Sequence, residues 1–163
     1  MPFKDPVATG RVTVNVTPAE AYRVVSDPLL MVTFAEETVE ARWLRGATHA
    51  TVGARFRGVN RNGRRRWVTT CTITETNRNR RFAYEVATAP LRIPVSLWRY
   101  DIDPVPDGTG CVITESNWIR VPRWFRPITT VLTGVSDRVG ANRAHIATTL
   151  DRLKSHLESR QPA

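Results

Sequence analysis

Two groups of polar residues in this sequence stand where apolar residues set the pattern. In "CVITESN", Cys111, Ile113, Glu115 and Asn117 fall in phase along a strand-like run. Glu115 and Asn117 therefore point to the same side as the apolar pair. In the helical C-terminal region, Asn142 interrupts an apolar stripe between Val139 and Ile146, with Arg138 one turn before it and His145 three residues after it. A carboxyl, a guanidinium, a carboxamide and an imidazole on inward faces are costly to bury unless each finds a partner. Either they orient the polar end of a bound molecule or they satisfy neighbours. In the second case Arg138 pairs with Asp137 or Glu115, and Asn142 bonds to backbone.

Other chemistries lack their residues. His49, His145 and His156 are scattered without zinc-like spacing, so we expect no metal and no cofactor. No G-x-S-x-G elbow and no phosphate loop is present. Cys71 and Cys111 have no histidine nearby and fall in apolar strand-like runs, so both read as reduced core residues.

Alternation places Trp43, Phe56, Trp67, Phe82, Tyr84, Trp98, Tyr100 and Ile113 on the inward side, with Phe34 joining from a short helix. These bulky groups either fill a core or line an apolar pocket, which uses the same residue types.

The elements that must hold these groups read clearly. "RVTVNV" alternates Val12, Val14 and Val16 with polar residues, as a strand does. Thr17, Pro18 and Glu20 form an N-cap, a first helical position and a capping box, predicting a short helix from Pro18 to about Ser26. Pro28 breaks it, and a second short helix runs from Pro28 to about Phe34. From Thr38 to Trp118 the chain reads as successive antiparallel strands, with Asn62-Gly63 as a two-residue hairpin loop and a turn-rich link at 104–110. After residue 126 the period is helical. Ile128, Val131, Leu132, Val135, Val139, Ile146, Leu150, Leu153 and Leu157 form one stripe. That predicts a single helix of about thirty residues, roughly 45 Å long. Gly134 and Gly140 allow close packing or a bend in it. The long helix is the only element large enough to cover the apolar face of the sheet.

The chain has 163 residues, 41% hydrophobic and 24% charged, which suits one soluble domain over 1–163 with a core from about 11 to 157. No apolar run approaches the roughly 18 residues of a membrane helix. "MPFKDPVATG" carries no signal pattern, so a cytoplasmic location is expected. Net charge is +9, and Lys4 and Lys154 are the only lysines. A basic surface attracts nucleic acid or anionic lipid, but an arginine bias also arises from genomic base composition. "NRNGRRRW", residues 60–67, carries four arginines. Single-strand binders interleave cations with exposed aromatics. Here the aromatics alternate to the other face, so nucleic acid is an unlikely partner and the arginines are expected to face water. "WIRVPRWFRP", 118–127, mixes Trp118, Trp124 and Phe125 with three arginines. It suits transient membrane contact through Trp118–Phe125. The preferred expectation is that Trp118 and Trp124 pack over the open end of the sheet.

"AYRVVSDP", "WLRGATHATVGARFRGVNRNGRRRWVTTCTITE", "RFAYEV", "WRYDIDP", "GCVITES" and "TGVSDRVGANRAHIATTLDRLK" resemble the START-like, Bet v 1-like superfamily (SRPBCC proteins). The wording is similar to its actinobacterial branch, often labelled polyketide cyclase/dehydrase-like. The resemblance implies an α+β helix-grip fold: a curved antiparallel sheet wrapped around a long C-terminal helix, with two short helices after the first strand. It also implies an apolar cavity between sheet and helix that takes a lipid, a polyketide or another hydrophobic small molecule. Phe34, Trp43, Phe56, Trp67, Tyr84, Trp98, Tyr100, Val135 and Val139 would supply apolar lining, and Glu115, Arg138 and Asn142 would orient a polar end. The expected role is binding without catalysis, in a monomer or homodimer. The enzymatic alternative is an aromatase/cyclase, with Glu115 as acid or base, Arg138 steadying an enolate oxygen and Tyr84 or Tyr100 as proton donors. A regulatory or toxin-like role is a further alternative.

Overall fold

A computed structural model describes residues 4–106 and 108–160; the chain ends and Asp107, inside the 104–110 link, lie outside it. Strand β1 (Ala8–Val14) leads into α1 (Pro18–Val25) and α2 (Pro28–Met31). Six strands follow: β2 (Thr38–Trp43), β3 (Arg55–Asn62), β4 (Arg65–Asn77), β5 (Arg81–Thr88), β6 (Pro94–Pro104) and β7 (Cys111–Ile119). A 3₁₀ turn at Arg123–Phe125 then opens α3 (Arg126–Thr133), and α4 (Arg138–Ser159) ends the fold. The strands form one antiparallel sheet in the order β1-β7-β6-β5-β4-β3-β2. This is the helix-grip architecture.

Local signals in the sequence set the small helices. Glu20 N donates to Thr17 Oγ1 at 3.3 Å and Thr17 N to Glu20 Oε2 at 2.8 Å, which closes the capping box on α1. Asp27 caps α2 through Leu29 N at 3.0 Å. α2 is regular only to Met31; Thr33 and Phe34 continue as i→i−3 turns onto Leu30 and Met31 carbonyls.

Three expectations need correction. First, the β3–β4 loop is Gly63-Arg64, because Asn62 pairs with Arg65. Gly63, at φ 58°, takes the first loop position, where a two-residue hairpin can use glycine. Second, the single thirty-residue helix is two helices. Gly134 adopts φ 71° and ends α3 in the left-handed conformation. Asp137 then starts α4 by accepting from Gly140 N at 2.9 Å. A Cβ on Gly140 would stand 2.3 Å from Asp137 Oδ2, so this glycine makes room for the cap. The apolar stripe breaks with the helix: Ile128, Val131 and Leu132 are exposed, whereas Ile146, Leu150, Leu153 and Leu157 are buried. Third, Trp118 and Trp124 do not act as a pair. Trp118 is buried on the outer face of the sheet, where Nε1 donates to Lys4 O at 2.6 Å and Arg99 lies 4.9 Å over the ring. Phe125 is buried too, but Trp124 is 67% exposed.

The core occupies one half of the molecule. α4 lies over β1, and its Leu150, Leu153 and Leu157 pack with Val14, Val24 and Ile113. The approach is closest at Gly10, where an added Cβ would sit 2.7 Å from Ile146 Cγ2. Ile146 is buried and its methyl cannot swing away. Gly10→Ala should therefore lower stability by about 1–3 kcal/mol. The readout is the urea midpoint at constant m-value; an unchanged midpoint would show that α4 does not press on β1 at this point.

Candidate ligand-binding cavity

α4 covers β1 and the edge of β7, and the concave face of the other strands continues past it. The uncovered part bounds a cavity of about 590 Å³, walled by β3–β7, the N-terminal half of α4, α3 and α2. This is within the usual volume range for small-molecule sites. Its rim is marked by lining residues that are themselves exposed: Glu36, Arg126, Thr130, Leu132, Ser136 and Asp137.

Alternation along the strands places Phe56, Trp67, Tyr84, Trp98, Tyr100 and Glu115 on the wall. Val135 lines it from the link before α4, and Arg138, Val139 and Asn142 from the first turns of α4. Two expected residues lie elsewhere. Phe34 packs against the His156 ring at 5.0 Å beneath α4. Trp43 meets Phe56 edge-on at 5.9 Å and borders a separate surface depression with Tyr22 and His49. Phe34, in the turn after α2, is part of the core, and Trp43, at the end of β2, packs against it.

The polar groups sort by whether they are satisfied. Asn142 Nδ2 donates to Asn117 Oδ1 at 2.7 Å, and Asn117 Nδ2 donates to Leu97 O at 3.2 Å. The partner of Asn142 is thus a side chain on β7 and not backbone. Arg138 binds neither Asp137 nor Glu115. Its Nη1 donates to both Glu37 carboxylate oxygens, at 3.0 and 2.9 Å. His145 Nε2 lies 3.6 Å from Glu36 and Nδ1 3.9 Å from Glu37. Glu36 and Glu37, just before β2, therefore hold the rim to α4. Periodicity could not reveal them, since they lie in a connection. Thr38, Asn60 and Thr69 form a further polar strip on the wall, through Thr38 Oγ1 to Asn60 Oδ1 (2.8 Å) and Asn60 Nδ2 to Thr69 Oγ1 (3.1 Å). Asn60 is in phase with Phe56, and that was the available signal.

Glu115 differs from all of these. Its Oε1 accepts from Tyr100 Oη at 2.8 Å, while Oε2 is buried and has no partner. Burial pushes the Glu115 carboxyl up to about 8, opposed only in part by the Tyr100 hydrogen bond. Burial, with Glu115 nearby, also holds the Tyr84 and Tyr100 hydroxyls well above their ordinary range. At neutral pH the Glu115 carboxyl is mainly protonated, and Oε2–H is a hydrogen-bond donor at the cavity wall. Cys71, on the same wall, is pushed up to about 12 by burial and is no nucleophile.

The chain as a whole has relatives in sequence and in fold. A sequence profile described as polyketide cyclase / dehydrase and lipid transport matches residues 6–158. The chain belongs to that family. Among curated proteins no sequence match is found. Solved structures similar in fold include a Deinococcus radiodurans protein, with TM-score 0.66 and 13% identity over 94% of this chain and 98% of that one. The protein XoxI from Bacillus cereus gives TM-score 0.67 and 12% identity over 96% and 98%. A polyketide-cyclase-like protein of Corynebacterium glutamicum gives TM-score 0.56 and 21% identity over 97% and 94%. At such identities the likeness is one of fold.

Two expectations follow for the buried polar groups. A carboxyl whose folded pKa is raised contributes its full stability below the unfolded value of 4.5 and loses it as pH rises through about 8. Wild-type stability should fall across that window by at most about 1.4 kcal/mol per pH unit more than that of Glu115→Gln. Parallel urea curves for the two proteins from acid to mildly alkaline pH would contradict the burial of this group. Asn142→Leu leaves Asn117 Oδ1 buried and unpaired, and should cost about 1–3 kcal/mol in the same assay. A gain in stability would mean that Asn142 is held there for a ligand and not for β7.

Proposed function

We propose that the cavity binds a hydrophobic small molecule or lipid, with its apolar body against the aromatic wall and a polar end at Glu115. One observation carries this reading: Glu115 Oε2 is buried at the cavity wall without a partner. Leaving such a group unmatched costs about 1–3 kcal/mol, and a ligand that supplies an acceptor removes that cost. A protonated carboxyl selects a carbonyl, carboxyl or hydroxyl oxygen. Asn142 lies on the facing helix, and Arg138 reaches the cavity already neutralised by Glu37, so it favours a neutral or weakly acidic head over a strong anion. The family's description as cyclase, dehydrase and lipid transport agrees with a hydrophobic cargo.

The Tyr100–Glu115 pair also favours a second reading, as a cyclase or dehydratase. With its carboxyl raised to about 8, Glu115 would serve as general acid at neutral pH, giving a proton to a departing hydroxyl or a developing enolate. Arg138 is less suited to that chemistry, because its charge is spent on Glu37.

Protein purified from its native host and examined by native mass spectrometry should carry a discrete extra mass that denaturation releases. Glu115→Gln, with its shape conserved, should retain less of it. A bare chain that also fails to enhance the fluorescence of added cis-parinaric acid would defeat the binding reading. If the released molecule differs chemically after incubation with wild type but not with Glu115→Gln, the enzymatic reading is favoured.

A further inference from the structure

The hairpin and the segment after β7 are remote in sequence, but the fold brings them to one end of the sheet. Asn62 pairs with Arg65, Thr69 with Thr88, and Ser96 with Ile119. The β3–β4 hairpin, the β5–β6 turn and the exit of β7 therefore lie side by side. Residues 60–68, 88–96 and 119–136, which make up this end, contain eight arginines and no Asp or Glu. Four are in the hairpin, one is Arg92, and Arg120, Arg123 and Arg126 lead into α3. The chain's net charge is +9, so the remainder nets only +1. Of the acids around this end, Glu40 pairs with Arg66, one of the eight, while Glu36, Glu37 and Asp137 serve the α4 side of the rim.

Among the described residues, five of the eight exposed large hydrophobic side chains also lie at this end. Trp124 is 67% exposed, Val131 68% and Leu91 75%, with Ile128 and Leu132 beside them on α3. α3 stays in place because the hairpin binds its C-terminal carbonyls: Asn62 Nδ2 donates to Thr133 O at 2.8 Å, and Arg65 Nη1 donates to Val131 O. Its other side faces the cavity through Thr129 and Thr133, and Leu132 stands on the rim.

We propose that this face, α3 with Trp124, Leu91 and the surrounding arginines, docks on an anionic lipid bilayer. The charge chooses the occupant. An apolar helix face ringed by guanidinium groups matches a surface of negative headgroups over hydrocarbon. A second copy of this chain would instead bring eight arginines against eight. The purpose of docking rests on the cavity reading, since it would set the rim against the membrane; the docking itself does not.

The test is flotation with vesicles of phosphatidylcholine alone and of phosphatidylcholine mixed with phosphatidylglycerol, with no cargo added. Wild type should float with the mixed vesicles at low salt, much less at near-molar salt, and little with phosphatidylcholine alone. Its tryptophan emission should shift to the blue, because Trp124 is the one exposed tryptophan. Trp124→Ala with Val131→Asp should abolish both signals with far-UV circular dichroism unchanged. Arg123→Gln with Arg126→Gln should weaken partitioning by at least about tenfold. Absence of binding to mixed vesicles, or equal binding by the Trp124/Val131 variant, overturns the proposal. So does a concentration-dependent dimer that Val131→Asp dissociates, which would assign the face to a second copy. A chain that floats but carries no cargo would fail the cavity reading alone, and the converse result would fail docking alone.

Discussion

The structure depends on a mismatch between sheet and helix. Seven strands curve around a concave face, and α4, of 22 residues, is the one long element available to cover it. A single helix can lie over two or three strands at most, given that helices pack about 10 Å from their neighbours. α4 is pinned to β1 by the close contact of Gly10 with Ile146, so it covers that edge and leaves the rest. Beneath its C-terminal half the gap is filled by α1 and the aliphatic core. Beneath its N-terminal half nothing of comparable bulk is supplied, and the aromatic wall from Phe56 to Tyr100 borders open volume.

The break between α3 and α4 follows from the same geometry. A straight thirty-residue helix would carry Ile128, Val131 and Leu132 beyond the sheet. Gly134 and Asp137 instead turn the chain, and α3 comes back against the β3–β4 hairpin. That hairpin is more than a solvated tip. Asn62 and Arg65 meet carbonyls that α3 cannot satisfy internally, and Arg66 ties the hairpin to Glu40. Positive charge, an amphipathic helix and the rim of the cavity are thereby joined in one unit.

Inside the cavity, electrostatics separates structure from recognition. Asn142, Asn117, Arg138 and the Thr38–Asn60–Thr69 strip have partners within the protein, so their burial is already compensated. Glu115 is compensated on one oxygen only. In a low-dielectric wall the cheaper remedy is protonation, and the carboxyl becomes a neutral donor. On the proposed binding reading, such a group would meet uncharged or weakly acidic oxygens on an otherwise apolar molecule.

Much of the fold was legible in the sequence. Two-residue alternation assigned the strands and their inward sides, and the Thr17–Glu20 box and Pro28 placed the small helices. Phase alone put Glu115 beside Ile113 and set Asn142 in the α4 stripe. Periodicity, however, gives a direction and not a partner. Arg138 finds Glu37 from 101 residues away, and Asn142 finds Asn117, because sheet register and helix placement bring them together. Trp43 has the right phase for the wall and Phe34 was expected to join it from the short helix, yet both pack against the core and not the cavity. The helix break escaped the stripe because apolar residues run on through it, and only packing decided that those of α3 face outward. The arginine clusters at 60–67 and 118–127 were visible separately in the sequence; the antiparallel order brought them, with Arg92, to one end. The sequence by itself determined elements, faces and the residues available for a site. The tertiary structure decided which groups pair, which carboxyl is left unsatisfied and where volume remains, since these depend on contacts between distant segments that no local pattern encodes.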